Sequence, residues 1–156
     1  MKPQTRVKPW WAILTAWIVV NAVNLLQSAG FLSRVVTGSH AINHLLGLGI
    51  IVLAVPAALA LVALKRARTS WRQWIGPAVF LAFLVFMISV EYIWPVEFRS
   101  PMRNDILVPY LVLFFGSIFL MGAPMFRMNR RFWLVTVATT VLLLGSMIFA
   151  MVMGVG

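Results

Sequence analysis

The stretch KRARTSWRQW, residues 65–74, joins two long apolar runs, His40–Leu64 before it and Trp74–Trp94 after it. Lys65, Arg66, Arg68 and Arg72 give it four positive charges with no acid among them. A run of ~20 apolar residues crosses a ~30 Å hydrocarbon core at a helical rise of about 1.5 Å per residue. In lipid such a run must be helical, because each backbone N–H and C=O needs a partner within the segment. The pair of runs therefore predicts a helical hairpin closed by a basic loop. Short loops rich in Lys and Arg stay in the cytoplasm.

The same reading extends in both directions. Trp10–Leu32, Ile106–Phe126 and Phe132–Val155 are further runs of spanning length. The expected fold is all-α and integral to the membrane: five transmembrane helices in one domain over residues 1–156, with the N-terminus cytoplasmic and the C-terminus outside. Charge supports the count independently of hydropathy. Lys2, Arg6 and Lys8 precede the first helix, and Arg127, Arg130 and Arg131 lie between the last two. With the four loop residues they form a set with no acidic companion. Arg34, Arg99 and Arg103 fall in the alternate loops with the acids Glu91, Glu97 and Asp105. Five crossings bring the ten unaccompanied basic residues to one face, and removing any helix scrambles them.

Composition agrees. Of 156 residues 62% are hydrophobic and 10% charged, against roughly 25% charged in soluble domains. The net charge of +10 thus reads as membrane topology and attraction to anionic headgroups, with no nucleic-acid partner. Basic residues near the surface are worth ~1 kcal/mol each toward such lipids. Trp10, Trp11, Trp71, Trp74, Phe132 and Trp133 follow the basic clusters as interfacial anchors, and Tyr92 and Trp94 mark the opposite level. The first apolar run exceeds the 7–15 residues of a signal h-region, so an uncleaved helix is expected. The expected setting is a bacterial or archaeal cytoplasmic membrane.

The absence of cysteine excludes thiolate metal sites and thiol chemistry. No phosphate-binding glycine loop, serine nucleophile motif or paired catalytic carboxylates occur. Both histidines share one helix, so a bis-histidine haem cannot form within one chain. No ionisable group stands near the membrane centre, as a proton-coupled pump requires.

Polar intramembrane residues gather instead in the outer half. The first helix carries Asn21, Asn24 and Ser28 on one face with Trp17 and Phe31, and Gln27 at its edge. His40, Asn43 and His44 open the second helix, while Glu91 and Tyr92 close the third. These nine polar residues form the candidate ligand pocket, between the first three helices and open outward. Amides buried in hydrocarbon need partners, and bonds between helices are the plainer reading of the asparagines. His40 and His44, one turn apart, could share a zinc ion with Glu91 as third ligand. Ala41 stands where the H-E-x-x-H motif has its general-base Glu, and two solvated interfacial histidines are the alternative.

Three functions fit. The first is a binding or accessory protein whose pocket holds a lipid, a small amphiphile or a partner helix. The second is an intramembrane enzyme on a lipid-soluble substrate. The third is a homo-oligomeric transporter or channel, or a subunit of a larger membrane complex. For packing, small residues at Gly47, Ala54 and Ala58, and the stripe Thr136, Thr140, Leu143, Met147, Ala150 and Gly154, are expected to face neighbours. Pro56 should kink the second helix, and Asn104 or Asp105 should cap the fourth.

Overall fold

The computed structural model describes residues 9–38, 41–96 and 103–154, apart from the side chains of Ala41 and Asn43. The described chain is all-helical and contains five helices long and apolar enough to cross a membrane. By length and composition it is an integral multi-pass membrane protein.

Helix α1, Trp10–Thr37, runs five residues past the expected Leu32. Its last turns are polar, yet Ser33 Oγ donates to Gly30 O and Thr37 Oγ1 to Ser33 O, both at 2.8 Å. Hydroxyls bonded back to the preceding turn are compatible with a continuing helix. Gly38 ends it at φ 62°, where its N–H reaches Arg34 O at 2.8 Å. A left-handed C-terminal residue of this kind costs glycine no Cβ clash.

The second span is two helices, α2 (Ala41–Val52) and α3 (Ala54–Arg66). The kink expected at Pro56 falls three residues earlier, at Leu53. Proline has no N–H for the carbonyl four residues back, and its ring crowds that carbonyl; here the carbonyl is that of Val52. Leu53 N–H closes a tighter turn onto Ile50 O at 3.1 Å. The break re-phases the helix. Beyond it the fully buried face is Ala57, Ala60 and Leu64; Ala54 is half-buried and packs against the core as expected, while Ala58 is half-buried beside that face.

Helix α4 spans Trp71–Ile88 and continues as a π-helical turn, Ser89–Ile93. Helix α5 spans Asn104–Met128. Neither Asn104 nor Asp105 caps it: Arg103 holds the cap position, without a side-chain cap bond. Asp105 pairs with Arg103 at 2.9 Å instead, in a first turn whose dipole favours negative charge. Helix α6, Arg130–Val152, does have a polar cap, since Asn129 Oδ1 accepts from Arg131 N–H at 3.0 Å.

Helix α1 is the centre of the bundle. Half of its most apolar window is buried, against 17–33% for the other spans. It packs against α2, α3, α5 and α6, while α3–α4, α4–α5 and α5–α6 contacts link the surrounding helices. Lys65, Arg66, Arg68 and Arg72 around the α3–α4 junction, and Arg127, Arg130 and Arg131 around the α5–α6 junction, gather at one end of the bundle, hereafter the basic end. There Lys65 lies over the Trp74 ring at 4.6 Å and Arg130 over Phe126 at 5.9 Å. The half nearer this end is closely filled by Ala12, Ile13, Ala16, Leu64, Met121 and Met125. Gly76 lets α4 and α5 approach closely: a Cβ there would stand 2.7 Å from the backbone of Leu120 and Met121. Pro124 leaves that same Leu120 carbonyl without its helical donor.

Candidate functional site

Two structures are built on α1, a hydrogen-bonded seam and, further along the helix, a cavity that α6 also lines. The first is a seam against α6. Asn21 Nδ2 donates to Trp17 O at 2.7 Å and to Thr136 Oγ1 at 3.3 Å, and Thr139 Oγ1 donates to Asn21 Oδ1 at 2.8 Å. One turn on, Asn24 Nδ2 donates to Thr139 and Thr140 hydroxyls, each at 3.0 Å. Toward the basic end Trp17 Nε1 donates to Phe132 O at 2.9 Å, and its ring stacks on Phe132. Ser28 Oγ returns to Asn24 O at 2.7 Å. Helical spacing sets this pattern, because Trp17, Asn21, Asn24 and Ser28 recur every three or four residues and so share one face. The facing threonines recur likewise. Asn21, Asn24 and Ser28 are all buried.

The second is a cavity of about 410 Å³ toward the end opposite the basic loops. From α1 it takes Gln27, Phe31 and Arg34; from α2, Gly47; from α4 and its π turn, Met87 and Glu91. Helix α5 contributes Leu107, Tyr110, Leu111, Phe114 and Phe115. Helix α6 and the residues after it contribute Leu143, Met147, Met151 and Gly154. The walls are aromatic and aliphatic, with one guanidinium, one carboxylate, one amide and one phenol among them.

Of the nine residues read from sequence, Gln27 and Glu91 line this cavity. Asn21 and Asn24 bond across to α6, and Ser28 bonds back to Asn24. His44 and Tyr92 form a clasp between α2 and the π turn. Their rings lie 4.7 Å apart, and Tyr92 Oη donates to His44 O at 3.2 Å. Gly47 makes room for that hydroxyl, since a Cβ there would come within 2.5 Å of it. His40 and the Asn43 side chain lie outside the described residues. Among the described residues no three His, Asp or Glu side chains are grouped to hold a metal ion.

The π turn shapes the site. Trp94 N–H reaches back five residues to Ser89 O at 2.9 Å, and such turns are frequent at functional sites. Glu91 enters the lining from within it.

Sequence reasoning missed Arg34. The charge pattern assigns it to a loop, but it lies in the last turn of α1 with 3% of its surface exposed and its guanidinium 5.3 Å from the Phe31 ring centre. The signal was available: Gln27, Phe31 and Arg34 follow a spacing of four and three, and Gly38 marks the helix stop four residues later. The contributions of α5 and α6 carried no polar signal, because those walls are ordinary apolar helix faces.

No family model, curated protein or solved structure matches the chain. The functional reading rests on the site itself.

Proposed function

We propose that this protein binds a membrane amphiphile in the cavity between α1, α2, α4, α5 and α6, with the basic end in the cytoplasm and the cavity toward the outer leaflet. The observation that carries the reading is the pairing of an apolar cavity of about 410 Å³ with a few polar groups in its wall. Ligand sites commonly have this character: mostly hydrophobic and aromatic lining, and a small number of polar groups that fix orientation. An apolar cavity of about 150 Å³ already accepts benzene. A cavity well over twice that size next to lipid would draw in a lipid-soluble occupant.

The orientation rests on the ten basic residues without an acid among them, which favour the cytoplasmic side. In that orientation the basic end also faces anionic headgroups. An intramembrane enzyme pairing Glu91 with His44 runs against the geometry. His44 is exposed and lies against Tyr92, and it does not appear in the lining of the cavity that Glu91 enters.

The test is retention. The chain, purified in a mild detergent and extracted with chloroform–methanol, should release a stoichiometric amphiphile detectable by mass spectrometry. Met147→Trp, which places a large ring in the cavity from a half-buried position, should lose that amphiphile while the protein keeps its helical circular dichroism. Equal retention by the variant would place the occupant elsewhere and end this reading.

A further inference from the structure

Four polar side chains line the cavity: Gln27, Arg34, Glu91 and Tyr110. Three of them, Arg34, Glu91 and Tyr110, are already engaged with other groups of the chain. Gln27 differs. Its side chain is half-buried, and among the described residues its amide has no hydrogen-bond partner. The preceding amides of α1, Asn21 and Asn24, bond across to α6, whereas Gln27 opens onto the cavity. Resting on the amphiphile-binding reading above, we propose that the occupant is an uncharged amphiphile whose polar end, a hydroxyl or an amide, hydrogen-bonds to Gln27.

The unpaired amide selects the polar end. It carries two donors and an acceptor, and a polar group held away from water without partners costs free energy. A hydroxyl answers both ends, because it donates to Oε1 and accepts from Nε2, and an amide does the same. Either one meets Gln27 whichever way its amide lies. A charged headgroup gains less here. Arg34 and Glu91 have partners already, so a phosphate or an ammonium must displace one of those partners or enter the apolar cavity unpaired. A buried charge left without compensation is strongly unfavourable. The rest of the wall suits a hydrocarbon chain, since Phe115 from α5 and Leu143 and Met147 from α6 present a ring, methyl groups and a thioether.

Four probes that share a dodecyl chain separate the possibilities. Dodecan-1-ol donates and accepts, 1-methoxydodecane only accepts, dodecyl phosphate is an anion and dodecyltrimethylammonium is a cation. Each is titrated into the delipidated chain held in an amphipol, whose own alkyl groups are tethered, and followed by thermal shift. Compared at equal mole fraction in the amphipol phase, dodecan-1-ol should half-saturate roughly fivefold below each of the other three, about the worth of one neutral hydrogen bond. Gln27→Met keeps nearly the same size and removes the amide. It should abolish the advantage over 1-methoxydodecane. The melting temperature of the unliganded variant should stay the same or rise, because no bond within the protein is lost. Tighter binding of either charged probe, or equal half-saturation by all four that Met147→Trp removes, would overturn the uncharged occupant and leave amphiphile binding standing. An advantage of dodecan-1-ol that survives Gln27→Met, or a lower melting temperature of that variant without ligand, would overturn the role of Gln27. No saturable shift from any probe would overturn the proposal, and a chain that also releases no amphiphile on extraction would overturn the binding reading with it.

Discussion

Asn24 and Thr140, 116 residues apart in sequence, are joined by a hydrogen bond of 3.0 Å from the amide Nδ2 to the hydroxyl. The same amide reaches Thr139, so the first and last spans close the bundle through side chains. Asn24 Oδ1, by contrast, is buried with no hydrogen-bond partner among the described residues. Asn21 uses both ends of its amide, donating to Thr136 and accepting from Thr139.

Unequal costs follow from that difference. Asn21→Leu removes a donor and an acceptor, and it takes away one of the two acceptors within reach of the Thr139 hydroxyl. Asn24→Leu removes donors only and abolishes an unpaired buried oxygen. Interhelical hydrogen bonds in membranes average about 0.6 kcal/mol, with about 1.7 as an upper value. Asn21→Leu should fall near the upper value and Asn24→Leu near or below the average, read from melting in detergent. Neither side chain lies in the cavity wall, so both variants should keep their amphiphile. Greater destabilisation by Asn24→Leu would mean that the amide orientation or the seam itself is misassigned.

Two glycines separate a rigid contact from an adjustable one. A Cβ at Gly76 would meet backbone atoms of Leu120 and Met121 at 2.7 Å, whereas one at Gly47 would meet only the Tyr92 hydroxyl. Overpacking typically costs ~1–3 kcal/mol. Gly76→Ala should reach that range whatever is changed around it, because two helices must separate. Gly47→Ala should cost less, and combining it with Tyr92→Phe should recover most of the loss, because the clashing oxygen is gone. The double-mutant cycle in detergent melting reads this coupling. Additive losses at Gly47 and Tyr92 would remove the clasp between α2 and the π turn.

The spans were legible in sequence because lipid permits no alternative: an apolar run of this length has to be a helix, and its ends need only a few residues' adjustment. Asn21 and Asn24 were recognisable as buried amides, and Thr136 and Thr140 as a packing stripe. That the two faces meet was not legible, since it depends on which helices become neighbours. The end of α1 was misjudged because Ser33, Arg34 and Thr37 look like loop residues until their hydroxyls are seen bonding back along the helix. That error removed Arg34 from the candidate site. The break at Leu53 could have been read more closely, since proline disturbs the carbonyl four residues before it. The π turn left no comparable mark in the sequence.

Topology is the property on which the membrane side of the site depends. The chain has no cysteine, so single introduced cysteines report against a clean background. Gly38 at the end of α1 and Arg103 before α5 are exposed at the end remote from the basic loops, while Arg68 and Arg130 are exposed at the basic end. Gly38→Ala is the control for the first site, because φ there is 62° and any Cβ strains that backbone. Arg68, at φ 47°, already adopts the left-handed region as a non-glycine residue, so Arg68→Cys adds no new backbone strain. With the basic end in the cytoplasm, an impermeant maleimide added to intact cells should label Gly38→Cys and Arg103→Cys and leave Arg68→Cys and Arg130→Cys unlabelled until the membrane is opened. The expected contrast is nearly complete, because moving a basic loop across the membrane would violate the charge bias of the whole chain. Labelling of Arg68→Cys and Arg130→Cys in intact cells, with Gly38→Cys and Arg103→Cys protected, would invert the protein. The cavity would then draw its occupant from the inner leaflet.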